Sequence, residues 1–228
     1  MCFQKRHHMK IQLFIKRFLD YFFALIVGIF AIPIILITML IIKIASPESP
    51  VLFRQKRMGY KNKPFTIYKL RTMTNERGAD GELLPDEQRL KSWGKIIRKL
   101  SIDELSQILN IFTGQMSWIG PRPLLPREML VMTEDEQRER QSVIPGITGW
   151  EAVNEDKSDS RREMAEFDLF YVRNWSLWLD LVIFFATAKK LLVANRSDDA
   201  HRAPKLDEIE FRTTVIVGEE DAIHEQHI

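Results

Sequence analysis

The sequence predicts an α+β fold with a helical majority, tied to a membrane through its N-terminal region. Three observations carry that expectation: an uncharged apolar run from Tyr21 to Ile42, two short strand-like segments around Gly59 and Asn62, and three-and-four apolar spacing from Leu177 to Leu192. At 228 residues, 45% hydrophobic and 28% charged, the chain suits one domain with an appendage and is not disordered. Its 33 basic and 31 acidic residues nearly cancel, and no aromatic-and-basic stripe is present, so nucleic acid is not an expected partner. The single cysteine, Cys2, excludes an intramolecular disulfide.

The apolar run reads "YFFALIVGIFAIPIILITMLII". As a helix it would be about 33 Å long, enough to cross a bilayer core. It is also longer than the roughly 7 to 15 apolar residues of a secretory signal. Basic residues lie on both sides, with Lys5, Arg6, Lys10, Lys16 and Arg17 before and Lys43, Arg54, Lys56, Arg57, Lys61 and Lys63 after, so no asymmetry selects an outer face. Pro33 interrupts the run, at a cost of roughly 3 kcal/mol in a helix interior. Two forms fit these residues: a straight, proline-tolerant spanning helix, and a re-entrant helix that bends at Pro33 and leaves by the face it entered.

After "SPESP", the stretch "VLFRQKRMGYKNKPFTIYKLRTM" predicts a small β-hairpin with strands near 51–55 and 65–70. A polar loop leads to a basic helix over 89–99, then to a second helix that begins after Ser101 and ends near Gly114. "IGPRPLLP" reads as a rigid connector and "EDEQRERQ" as a solvated surface helix. Over 177–192 one helix face is apolar, with Asp180, Thr187 and Lys190 off it; Trp175 and Trp178 favour the headgroup level. Core packing and an interfacial amphipathic helix both satisfy that pattern. Beyond Asn195 the chain turns acidic and reads as a flexible tail; His201, His224 and His227 there lack ligand spacing.

Chemistry concentrates at "LSIDELSQIL", where Asp103 and Glu104 stand together. "SIDE" fits a capping box, with Ser101 as the cap and Glu104 reaching back to its amide. That leaves Asp103 in the first helical turn, where the dipole favours an ionised carboxylate by roughly 0.3 to 1 kcal/mol. An ionised aspartate beside a bound phosphate is a candidate nucleophile or magnesium ligand. Candidate phosphate holders are Lys69 and Arg71 in "YKLRTM", Arg98, and Arg122, whose backbone is stiffened by Pro121 and Pro123.

From about Lys16 to Val193 the chain resembles the monotopic phosphoglycosyl transferases of the bacterial sugar transferase family, enzymes similar to the bacillosaminyl-phosphate transferase of bacterial protein N-glycosylation. The shared stretches are "KRFLD", "SPESPVLFRQKRMG", "KLRTM", "GELLPDEQRL", "IRKLSIDEL", "IGPRPLLP", "PGITGW" and "DLFYVRNWSLWLDL". The resemblance implies transfer of a sugar-1-phosphate from a UDP-sugar to polyprenyl phosphate with release of UMP, at the cytoplasmic face of the bacterial cell membrane. It further implies Asp103 as the nucleophile that carries a covalent phosphosugar, Glu104 as its dyad partner, Mg2+ held near Asp103, and phosphates held by Lys69, Arg98 and Arg122. The apolar run would then be the re-entrant helix bent at Pro33. On this reading 1–17 is a basic segment, 18–43 the membrane helix, 44–195 the membrane-associated catalytic domain and 196–228 the acidic tail. Surface helices leave room for a homodimer.

Departures from the family pattern are Ile32 where many relatives have serine before the proline, "EAVNED" after "GITGW" in place of Ala-Gln-Val-Asn-Gly-Arg, Ser106 for proline and Gln115 for aspartate. The rival readings are a non-catalytic membrane scaffold and direct transfer without a covalent intermediate.

Overall fold

The structure is a computed structural model and describes residues 2–194. The acidic tail and its three histidines lie outside the described residues. The chain opens with one long helix, α1 (Cys2–Ala45), that continues through Pro33. This proline has no N–H for the Ile29 carbonyl one turn back, and Thr38 Oγ turns onto the Ile34 carbonyl at 2.8 Å, a side-chain bond of the kind that loosens a helix.

From Asp20 onward one stripe of α1 is buried: Asp20, Ala24, Ala31, Thr38 and Ile42, continuing into Ser46 beyond the helix. The spacing follows the three-and-four rule of a helix face. Ala24 joins a core with Phe65, Ile67, Ile111 and Met116, while Ile42 joins another with Leu70 and Ile97. The opposite face leaves Phe18, Leu25, Ile29, Phe30, Leu36, Ile37 and Leu40 exposed. A helix bare on one side and packed on the other has room for lipid along its outer face only.

The residues before the apolar run are fastened to protein. Lys16 Nζ donates to Asp180 Oδ2 at 2.7 Å and to the Ile119 carbonyl at 2.8 Å. Arg17 donates to the carbonyls of Gly114 and Met116, and Asp20 Oδ1 accepts from Ser117 Oγ and the Trp118 amide. The sequence had placed Lys16 and Arg17 as basic flanks for lipid; the fold uses them as internal ties.

Strands β1 (Leu52–Met58) and β2 (Pro64–Leu70) form the expected antiparallel hairpin, in register from Leu52 opposite Leu70 to Met58 opposite Pro64. At its turn a Cβ on Gly59 would sit 2.7 Å from the Phe65 ring. The expected helix over 89–99 is instead two pieces, α2 (Asp86–Arg89) and α3 (Ser92–Lys99), parted at the non-helical Leu90. Next come a 3-10 helix, Ile102–Gln107, and α4 (Ile108–Phe112), which stops before Gly114 at φ +77°.

The sequence reading missed a second, parallel pair: β3 (Ser117–Ile119) beside β4 (Gly146–Thr148). A Cβ on Gly146 or Gly149 would collide with the Gly120 backbone, so the glycines of "IGPRP" and "PGITGW" let two chains touch. A 3-10 helix, Pro126–Val131, precedes α5 (Glu134–Arg140), and then come α6 (Trp150–Asn154), α7 (Arg161–Arg173) and α8 (Leu177–Ala194). Helix α5 is only partly the solvated surface expected, because its last residue, Arg140, is fully buried. Helix α8 divides its apolar residues: Leu179 and Ile183 pack inward with Tyr171, while Trp178, Leu181, Phe184 and Phe185 stay exposed.

Candidate active site

The turn that carries Asp103 and Glu104 is not capped as "SIDE" suggests. Ser101 adopts φ +52° and its side chain caps nothing; Glu104 instead reaches Lys69 Nζ at 2.6 Å. A capping box forms instead at the start of α5, between Thr133 and Glu136. What holds the Asp103 turn is strand β2: Ser106 Oγ donates to the Tyr68 carbonyl at 2.8 Å, and Asn110 Nδ2 donates to the Thr66 carbonyl at 2.7 Å and to Gln115 Oε1 at 3.0 Å. Ser106 and Gln115, two of the departures from the family pattern, are therefore part of this brace.

Asp103 is half-buried, and burial pushes its carboxyl above the ordinary carboxylate range; Lys69 pulls it down, Glu104 pushes it up, and its own backbone and Arg98 pull it down. The sequence had expected the helix dipole to keep this acid low. A short 3-10 turn has little dipole to offer, and desolvation prevails.

Beside the dyad lies a pocket whose charged lining is Lys69, Glu104, Arg57 and Arg122, with Ile67, Gln107, Pro123, residues 146–149 and Ala152 completing it. Lys69 and Arg122 thus meet where the sequence expected. Arg98 lies outside the lining: exposed, with Nε on Thr72 Oγ at 2.8 Å, its charge nevertheless acts on Asp103. Arg71 is turned elsewhere, donating to the Pro50 carbonyl at 2.7 Å and to Asn75 Oδ1 at 2.8 Å.

Among the described residues no group of three His, Cys, Asp or Glu side chains converges on a metal position. Magnesium needs fewer, since it takes one or two carboxylates and completes its shell with water and phosphate oxygens. Adjacent Asp103 and Glu104, both partly open to solvent, fit that requirement.

A buried charged cluster backs the Arg122 turn. Arg140, on α5, donates to Asp168 Oδ2 on α7 through Nε at 3.0 Å and Nη2 at 2.5 Å, and Nη2 also reaches the Arg122 carbonyl at 2.5 Å. Glu151, on α6, is 6% exposed and its Oε2 has no hydrogen-bond partner among the described residues. Burial, then Asp168, push the Glu151 carboxyl up to about 7, against the pull of Arg122 and Arg140. The acidic pair that replaces Gly-Arg in this loop, Glu155 and Asp156, faces Lys190 of α8 at 3.6 and 3.5 Å.

Residues 11–194 match the family model described as bacterial sugar transferase. The chain belongs to that family. It is 47% identical over 180 residues to the uncharacterized sugar transferase EpsL of Bacillus subtilis, a match covering 79% of this chain and 88% of the relative. It is 39% identical to the UDP-N-acetylgalactosamine-undecaprenyl-phosphate N-acetylgalactosaminephosphotransferase of Aeromonas hydrophila, over 80% of this chain and 44% of the relative. A UDP-glucose:undecaprenyl-phosphate glucose-1-phosphate transferase of Escherichia coli is 34% identical, over 77% of this chain and 40% of that protein. The chain thus spans less than half the length of these last two relatives.

Arg57 and Arg140 are the residues that sequence reasoning missed. Arg57 was hidden among the basic residues of the hairpin and Arg140 in a run of surface charge. The period-two facing of β1 was the available signal for the first; nothing local marked the second.

Proposed function

We propose that this protein transfers a sugar-1-phosphate from a UDP-sugar to undecaprenyl phosphate and releases UMP. The observation that carries the reading is the convergence of Lys69, Glu104 and Arg122 on one pocket next to half-buried Asp103. An anionic nucleophile approaching a diphosphate meets like-charge repulsion, so fixed cations must be in place first. Lys69 and Arg122 are placed to hold the two phosphates, and Arg98 adds positive field at Asp103.

An Asp103 carboxylate oxygen attacks the sugar-proximal phosphorus. The bond from that phosphorus to the UMP oxygen breaks, UMP leaves with the electron pair, and the phosphosugar is joined to Asp103 as an acyl phosphate. A phosphate oxygen of the polyprenyl substrate then attacks the same phosphorus. The Asp103 carboxylate departs unchanged, leaving a polyprenyl diphosphate sugar. Asp103 and Glu104 would hold Mg2+, which when bound neutralises charge on the diphosphate. Glu104, paired with Lys69 here, orients that lysine until substrate arrives.

The membrane arrangement follows from which parts of α1 touch the domain. Asp20, at one end of the apolar run, bonds Ser117 and Trp118, and Ile42, at the other, packs on Leu70 and Ile97. Both ends meet one globular body, which favours a helix that enters and leaves by the cytoplasmic face with its bend at Pro33. The exposed Trp178, Phe184 and Phe185 of α8, with Ile96 of α3 and Leu100 just after it, suit an interfacial seat.

The test is UMP release from a panel of UDP-glucose, UDP-galactose and UDP-N-acetylgalactosamine, each with and without undecaprenyl phosphate and Mg2+. The reading expects sustained release only when sugar nucleotide, lipid and metal are present together. Lipid binding with no UMP from any donor would favour the scaffold reading. Single cysteines placed at Lys10 and Glu48 in a Cys2→Ser background should both be labelled from the cytoplasmic side alone; opposite sidedness would establish a spanning helix.

A further inference from the structure

Arg122 is held by its backbone and left free at its side chain. Its guanidinium makes no hydrogen bond or ion pair with another described residue, although it is exposed at the pocket. The two consecutive carbonyls at this turn are both taken by arginines from other elements. Arg140 Nη2 donates to the Arg122 carbonyl at 2.5 Å, and Arg57 Nη1 donates to the Pro123 carbonyl at 3.3 Å. Each of these arginines is matched by a buried acid: Arg140 by Asp168, and Arg57 by Glu128 at 3.1 Å. The clamps therefore add donors without pulling on the Arg122 side chain.

We propose that Arg140 and Arg57 are positioning residues for phosphate recognition, acting through Arg122 by fixing the backbone on which its guanidinium stands. This inference rests on the reading of Arg122 as a phosphate holder. Arg140 is fully buried and reaches no substrate itself; its whole effect on binding passes through the turn. Both donors are forks that bridge a carboxylate and a carbonyl at once. A lysine keeps the charge but presents no planar fork, so it cannot hold both with the same geometry. Flanking Pro121 and Pro123 limit the remaining backbone freedom, and less entropy is lost when the free fork meets an oxyanion.

The test is a double-mutant cycle on UDP affinity, measured by calorimetry with the full chain in lipid nanodiscs and magnesium buffer. Arg122→Ala should weaken UDP binding about tenfold, the loss of one charge-assisted phosphate contact. Arg140→Lys alone should weaken it nearly as much. In the Arg122→Ala background Arg140→Lys should add less than about twofold, because the residue through which it acts is gone. Arg57→Lys, at a less buried site that also lines the pocket, should repeat the pattern if Arg140→Lys fails to accumulate; an equal loss in both backgrounds would mean that Arg57 meets the phosphate itself and would overturn its part of the inference. Equal losses in both backgrounds, or lysine variants that bind UDP like the unaltered protein, would overturn the inference while leaving Arg122 as a phosphate holder. An Arg122→Ala variant that binds UDP normally would overturn both readings together.

Discussion

On one side of the pocket, Ser106, Asn110 and Gln115 tie the Asp103 turn to strand β2 through neutral hydrogen bonds; on the other, Arg140, Asp168, Arg57 and Glu128 hold the Arg122 turn by charge. The neutral wall pairs Asn110 through both amide atoms, so it contains no group that titrates near neutrality. The charged wall leaves Arg140 Nη1, Asp168 Oδ1 and Glu151 Oε2 buried without hydrogen-bond partners among the described residues. Rigidity is thus obtained by two routes with different weaknesses. Neutral bonds fail one at a time, whereas a buried charge cluster responds as a unit to the loss of a partner or a change in pH.

That contrast is broken most severely at Asp103, the proposed nucleophile, which belongs to neither wall's support. Asp103→Asn should lower UMP release by at least about a thousandfold without a large change in thermal midpoint, since the amide keeps the shape. A steady-state UMP assay beside a melting curve checks this.

Within the charged wall, Asp168→Asn leaves Arg140 as an uncompensated buried cation and should destabilise the fold by about 3 to 5 kcal/mol in denaturant unfolding. Asn110→Ala, on the neutral wall, should cost about 1 to 3 kcal/mol, mostly the penalty for polar groups left unserved.

The two walls should separate most clearly by pH. Glu151 is raised in the fold from 4.5 to about 7, so the folded state keeps a proton that the unfolded chain has already released. Its contribution is therefore whole below about pH 4.5 and is lost as pH rises to 7, a change on the order of 3 kcal/mol. Glu151→Gln should leave stability unchanged at pH 4 and raise it at pH 8. Ser106→Ala, losing about 1 kcal/mol, should lose the same at both. Equal pH profiles for the two variants would erase the distinction between the walls. The smallest effect is expected from Arg71→Ala, below about twofold in UMP release, because that guanidinium is spent on Pro50 and Asn75.

The hairpin, the apolar run and the α8 periodicity could be read from sequence because each depends on local patterning over several residues. Lys69 and Arg122, which line one pocket, could be picked out as candidates because their surroundings are rigid and short-range: the end of a strand and a Pro-Arg-Pro turn. The pair β3–β4 escaped notice, since strands of three residues joined across a long separation carry too little periodicity, and the glycines that permit their contact look like ordinary turns. Arg140 was taken for surface because it stands in the charged run "EDEQRERQ"; only the approach of Asp168 from α7 makes its burial tolerable. The Ser101 cap failed for the opposite reason. A good local motif lost to a tertiary partner, Lys69, that claimed Glu104 first.

The account stands on Asp103 as the group that takes the phosphosugar. Intact-mass and peptide mass spectrometry of the protein incubated with Mg2+ and a UDP-sugar it turns over, with no lipid acceptor, tests that directly. The expected result is a phosphosugar adduct on the peptide bearing Asp103, absent from Asp103→Asn and discharged on adding undecaprenyl phosphate. UMP turnover with an adduct on another residue, or with no adduct under rapid quenching, would contradict it.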